Sequence, residues 1–139
     1  MACFVRVMQG VTMTNSRGQT AAFRLAALLG GAGVLHFVTP TPFDKQVPRA
    51  LPGEARTYTY ASGVAEIALA GGLAAARTRR TTATVAAVFF VAVFPANVQM
   101  AVDWLRSSKT TTAMKIGVLA RLPLQIPLIT ESLKVRRTS

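Results

Sequence analysis

Six polar side chains stand inside or at the ends of otherwise apolar runs of this 139-residue chain: His36, Glu66, Asn97, Gln99, Arg121 and Gln125. An imidazole exchanges protons near neutral pH, a carboxyl in an apolar span needs a partner or a task, and amides bridge helices by donating and accepting at once. Ser62 and Glu66 are four residues apart, as are Arg121 and Gln125, so each pair shares a helix face. Two readings stay open. In one, Glu66 pairs with Arg121 while Asn97 and Gln99 bond across helices, each contact adding about 1 kcal/mol to packing. In the other, the same residues line a pocket for a small ligand or a quinone headgroup, with His36 or Glu66 exchanging protons. His36 also has a simpler role open to it, a hydrogen bond to loop backbone. No residue is assigned as catalytic. One histidine and one cysteine, Cys3, exclude a multi-histidine metal cage, a Cys-based zinc site, a CxxC pair and an intramolecular disulfide.

The composition places these residues in a membrane. The chain is 51% hydrophobic with mean hydropathy +0.39 and a formal charge of +11, yet has only five carboxylates. Its Lys and Arg gather between long uncharged runs instead of giving each helix a wet face. Helix-turn-helix patterns, zinc spacings and aromatic single-strand platforms are absent, so nucleic acid is not an expected partner. Attraction to anionic lipid headgroups accounts for the basic connections.

Four apolar segments are read as helices, at about 20–38, 58–76, 84–104 and 113–133. Residues 1–19 read as a flexible cytoplasmic tail, too short and broken for a signal-peptide core, with Met1 and Met13 both open as starts. Residues 20–134 form the membrane domain and 135–139 a basic tail. Gly30 to Gly33, GGAG, permits close helix approach. The stretch TPTPFDKQVPRALPGEART is expected to break any helix and form an interfacial loop, with Asp44 capping a turn and Arg56 anchoring the second helix. Arg77 to Arg80, RTRR, makes the opposite turn. Pro95 frees the Val91 carbonyl, so a kink or polar filling is expected there, and Trp104 suits an interfacial anchor. The fourth segment, interrupted by Arg121, Pro123, Gln125 and Pro127, reads as the least apolar of the four, with a surface or re-entrant helix as its alternative. The fold class expected is all-α, a polytopic integral membrane protein with a four-transmembrane-helix bundle.

With alternating crossings, His36, Glu66, Asn97 and Arg121 fall in the same half of the membrane, beneath the proline-rich loop. Basic residues flanking the crossings divide nine against six, counting Arg6, Arg77 and Arg137 with the majority. That bias places both termini in the cytoplasm and the proline-rich loop outside.

HFVTPTPFDKQVP after the first helix, SGVAEIALAGGL in the second, VFPANVQMAVDW in the third and RLPLQIPL in the fourth together resemble the DoxX-like family of small bacterial four-helix membrane proteins, especially its actinobacterial members. The resemblance covers roughly Phe23 to Lys134. It implies a compact bundle in the bacterial cell membrane, with His36, Pro48, Glu66, Pro95, Asn97, Arg121 and Gln125 as polar and kinking core residues. It also implies a subunit or accessory of a membrane redox system, some relatives being linked to a thiosulfate:quinone oxidoreductase and others to thiol-redox complexes. Quinone is then the cofactor to expect, and membrane lipids, a membrane or peripheral redox protein and further copies of the chain are the expected partners. The alternative from a different class is a non-catalytic scaffold or assembly factor that recruits partner proteins.

Overall fold

A computed structural model describes residues 2–139, with side chains from Ser16 onward; Cys3 and the choice between Met1 and Met13 lie outside the described side chains. Five helices follow one another: α1 (Ala2–Val38), α2 (Pro40–Asp44), α3 (Ala55–Ala74), α4 (Arg79–Arg106) and α5 (Thr112–Thr138), and the described residues include no strand. The four long helices form a ring in which α1 packs on α3 and α5, and α4 packs on the same two. The turns from α3 to α4 and from α4 to α5 are short, and the longer connection from α1 to α3 carries α2, so consecutive long helices run antiparallel.

Three helical segments are long and apolar enough to cross a membrane: Ser16–Val38 in α1, Arg79–Arg106 and Thr112–Thr138. As expected, the last helix is the least apolar overall. α5 qualifies, at a mean hydropathy of 1.2, and the segment that does not qualify is α3. α3 builds its apolar character from Ala and Gly, and also carries Arg56, Tyr58, Tyr60 and Glu66. Small residues contribute little hydropathy, while the aliphatics of α5 outweigh Arg121 and two prolines.

Small side chains share the interior with a few large ones, while many large aliphatics face outward. Ala22, Ala83 and Ala86 are fully buried beside Leu25, Leu29, Leu73, Phe90 and Val135, whereas Val88 is 61% and Ile126 65% exposed. That arrangement suits lipid, where bulky aliphatics lose nothing by facing outward and small residues let backbones approach. A second, smaller cluster of Met100, Ala101 and Val118 joins α4 to α5 near the proline-rich loop.

Local signals account for the ends of the helices. Pro40 and Pro42 do not simply break structure: a proline at the first helical position needs no N–H partner, and Pro40 opens the single-turn α2. Gly53, at φ +89°, takes the left-handed turn before α3 that a side chain would resist. Thr111 caps α5 by accepting from the Met114 N–H at 3.2 Å. At the opposite turn Arg79 is buried, donating from Nε to the Leu73 carbonyl (2.8 Å) and from Nη2 to that of Ala74 (3.0 Å). Its guanidinium also lies 5.3 Å from the Phe23 ring centre. A cation here meets the negative end of α3. The expected first helix from residue 20 is continuous with helix back to Ala2.

Candidate functional site: a polar layer between two apolar clusters

On α4 and α5 the polar residues fall between the two apolar clusters, while on α1 and α3 His36 and Glu66 lie on the loop side of the main cluster. On α4, Asn97 separates Phe90 from Met100; on α5, Gln125 and Arg121 separate the main cluster from Val118; on α3, Glu66 precedes Leu69. The polar residues form two groups.

The first group is set by a crossing of glycines. A Cβ added to Gly63 would sit 2.9 Å from the His36 Cβ and 3.1 Å from the Gly33 carbonyl oxygen, and one added to Gly33 would sit 2.9 Å from the Gly63 carbonyl oxygen. α1 and α3 thus touch backbone to backbone. Helical side chains lean toward their own N-terminus, so on antiparallel helices residues three past each glycine turn toward one another. His36 and Glu66 hold those positions. His36 Nδ1 lies 3.3 Å from Glu66 Oε2 and 2.7 Å from the Ala32 carbonyl oxygen.

Only the shorter of these two contacts is a hydrogen bond. Nδ1 donates to Ala32, which leaves Nε2 with the lone pair in the neutral ring. Glu66 Oε2 is buried and has no hydrogen-bond partner. An orphaned carboxyl oxygen at the centre of a bundle is expensive. The loop-backbone bond considered for His36 is not made; its ring bonds within α1 instead.

α2 covers this pair. Phe43 stacks on the His36 ring with centres 3.8 Å apart, and the next residue, Asp44, ties α2 to α3. Arg56 donates to Asp44 Oδ2 from Nε and Nη2, both at 2.8 Å, and the buried Thr59 hydroxyl donates to Oδ1 at 2.7 Å. These bonds, from Arg56 first and then Thr59, hold the Asp44 carboxyl below the ordinary aspartate value. Asp44 is a clamp between elements, and Arg56 does more than anchor a helix end.

Arg121 does not pair with Glu66. No contact within 4.0 Å joins them among the described residues; Arg121 Nη1 donates instead to Gln46 Oε1 at 2.8 Å, binding α5 to the loop after α2. The second group is Asn97 with Gln125. Asn97 Nδ2 donates to Gln125 Oε1 at 3.4 Å, and Gln125 Nε2 donates to the Phe90 carbonyl. The polar filling expected from Pro95 is present but lands on Phe90, one residue upstream of Val91. Gln99 belongs to neither group: it is exposed and donates to Asp103, one turn on, at 3.0 Å.

An open cleft lies elsewhere. At about 880 Å³, it separates the proline-rich loop from the α4–α5 turn, and none of the six expected residues lines it. Trp104, at its edge, donates from Nε1 to the Lys45 carbonyl at 3.2 Å. Phe43, Gln46, Thr59, Gly63 and Arg79 were not legible as site residues, although one signal was present. The tetrapeptides Gly33 to His36, GVLH, and Gly63 to Glu66, GVAE, share the spacing that places each polar residue one turn beyond a close approach.

The fold and this layer define an all-helical, multi-pass membrane protein with a polar centre. The chain belongs to the family described as a domain of unknown function (DUF8561), which matches residues 25–136. No curated protein and no solved structure matches it. Among the described residues no group of three or more His, Cys, Asp or Glu is placed to hold a metal ion.

Proposed function

We propose that this is a four-crossing protein of the DoxX-like type in a bacterial cell membrane, serving a membrane redox system by binding a quinone-like headgroup at the His36–Glu66 pair. The observation that carries the reading is the buried Glu66 Oε2, 3.3 Å from His36 Nδ1 and without a hydrogen bond. A quinol hydroxyl would supply the donor this oxygen lacks, and the His36 Nε2 lone pair offers a second proton acceptor. Phe43 covers the ring, so a headgroup reaches His36 from the loop side only if α2 lifts. α3 is the fourth crossing in this reading. Its 20 residues span about 30 Å as helix, the thickness of the hydrocarbon core, and it lies antiparallel against α1, itself a span.

Thermal-shift titration with menaquinone analogues in their reduced, quinol form in detergent tests the proposal. Stabilisation that rises with analogue concentration is expected for the natural chain. It should be lost in Glu66→Gln and His36→Gln variants that keep their helical circular dichroism. A folded natural chain that shows no shift would rule the reading out.

A scaffold that recruits partner helices is the second reading, favoured by open small-residue positions. A Cβ at Gly31, Gly71 or Gly117 would meet nothing within 4 Å, so these backbones remain approachable from outside the bundle. Purification from native membranes separates the two readings, since the scaffold requires a stoichiometric protein partner and no retained quinone.

A further inference from the structure

The 880 Å³ cleft has a chemistry of its own, independent of the quinone reading. Four cations line it, Lys45 and Arg49 from the loop, Arg106 from the end of α4 and Lys109 from the following turn, against two carboxylates, Asp44 and Asp103. Both carboxylates are engaged: Asp44 accepts from Arg56 and Thr59, and Asp103 accepts from Gln99. Among the described residues, none of the four cations has an ion pair or a side-chain hydrogen bond. Unpaired positive charge thus converges on a space within the usual range of ligand sites, roughly 300–1,000 Å³.

The apolar part of the lining is as telling as the charge. Met100, Met114 and Trp104 also face the cleft, and Met100 belongs to the apolar cluster beneath it. A free phosphate has no use for such a floor; an amphiphile does. The cleft also lies at the start of α3, the end of α4 and the start of α5, the depth at which a spanning bundle meets headgroups, and Trp104 is the residue type that favours that level.

The geometry points to a binding site for an anionic phospholipid, its phosphate held by Arg49, Arg106, Lys45 and Lys109 and its glycerol and first acyl carbons lying against Met100, Trp104 and Met114. A zwitterionic lipid presents the same phosphate beside an ammonium that the four cations repel, so the site discriminates by net charge.

Native mass spectrometry of the full chain in detergent, with added phosphatidylglycerol or phosphatidylcholine, tests this. Preferential retention of one phosphatidylglycerol is expected, weakened roughly tenfold or more in an Arg49→Gln/Arg106→Gln variant. An Arg136→Gln/Arg137→Gln variant, altered at the far end of α5, should retain the lipid normally. Should the first variant fold poorly, Arg49→Gln/Lys109→Gln, confined to exposed loop positions, is expected to show the same loss. Equal retention of the two lipids, or equal loss from the far-end variant, overturns the site. Displacement of phosphatidylglycerol by equimolar glycerol 3-phosphate also overturns it, because a soluble anion would then suffice.

Discussion

Gly63 and Asp44 show how single residues hold the centre of this protein together. Gly63→Ala would place a methyl 2.8 Å from a Phe37 ring carbon and 2.9 Å from the His36 Cβ. Overpacking of that kind costs about 1–3 kcal/mol, so detergent unfolding should show a loss of that size with helix content preserved. Gly71→Ala is its control. No atom lies within 4 Å of the added Cβ, and alanine's better helix propensity should leave stability unchanged or raise it by up to about 1 kcal/mol. Asp44 yields a pH dependence of definite sign. Its carboxyl is held below the ordinary value of 3.8 by Arg56 and Thr59. The clamp is therefore fully present above that value and is lost as pH falls through the lower folded value. The only tryptophan, Trp104, is bonded to the neighbouring Lys45 carbonyl and reports on this loop. Its emission should stay constant from neutral pH to about pH 4 and shift to the red only below it; Asp44→Asn should show the red shift already at neutral pH.

At the scale of elements, two polar side chains join helices through backbone groups. Arg79 closes the α3–α4 turn by satisfying the Leu73 and Ala74 carbonyls. Arg79→Ala should cost about 1–2 kcal/mol in detergent unfolding, and Arg79→Lys should recover only part because an ammonium cannot reproduce the planar fork. Gln125 joins α5 to α4 through Asn97 and the Phe90 carbonyl. Gln125→Leu leaves Asn97 buried without its partner and should cost about 1–2 kcal/mol. Replacing Asn97 by Leu as well should return part of that loss, since an apolar pair leaves fewer groups unsatisfied.

For the whole molecule, the decisive question is whether α3 crosses. If it does, the proline-rich loop and the α4–α5 turn lie on one side of the membrane and the Arg77 turn on the other. Single cysteines at Arg49, Ser108 and Arg77, introduced with Cys3→Ser, should then label with a membrane-impermeant maleimide in the pattern of Arg49 with Ser108 and against Arg77. Arg49 and Ser108 reporting opposite sides would mean that only α1, α4 and α5 cross. The same experiment in intact cells reports which side holds the termini.

Helical character, the membrane setting and the polar level at mid-bundle were all legible in the chain, because each depends on runs of residue types and on distance along a helix. Segments at about 84–104 and 113–133 became α4 and α5 with somewhat longer ends, and Asn97, Arg121 and Gln125 do fall between the apolar clusters. Partner choice was not legible. Depth along a helix said that Glu66 and Arg121 are level, but the rotation of each helix about its axis decides which side chains meet. That rotation is set by the Gly33–Gly63 approach, which turns His36 toward Glu66. The short helix α2 contributes as much: its position, fixed by Asp44 on Arg56 and Thr59, sets Phe43 over His36, and the loop after it presents Gln46 to Arg121. Spacing along one chain can place a residue at a height in the membrane; only packing between helices gives it a neighbour.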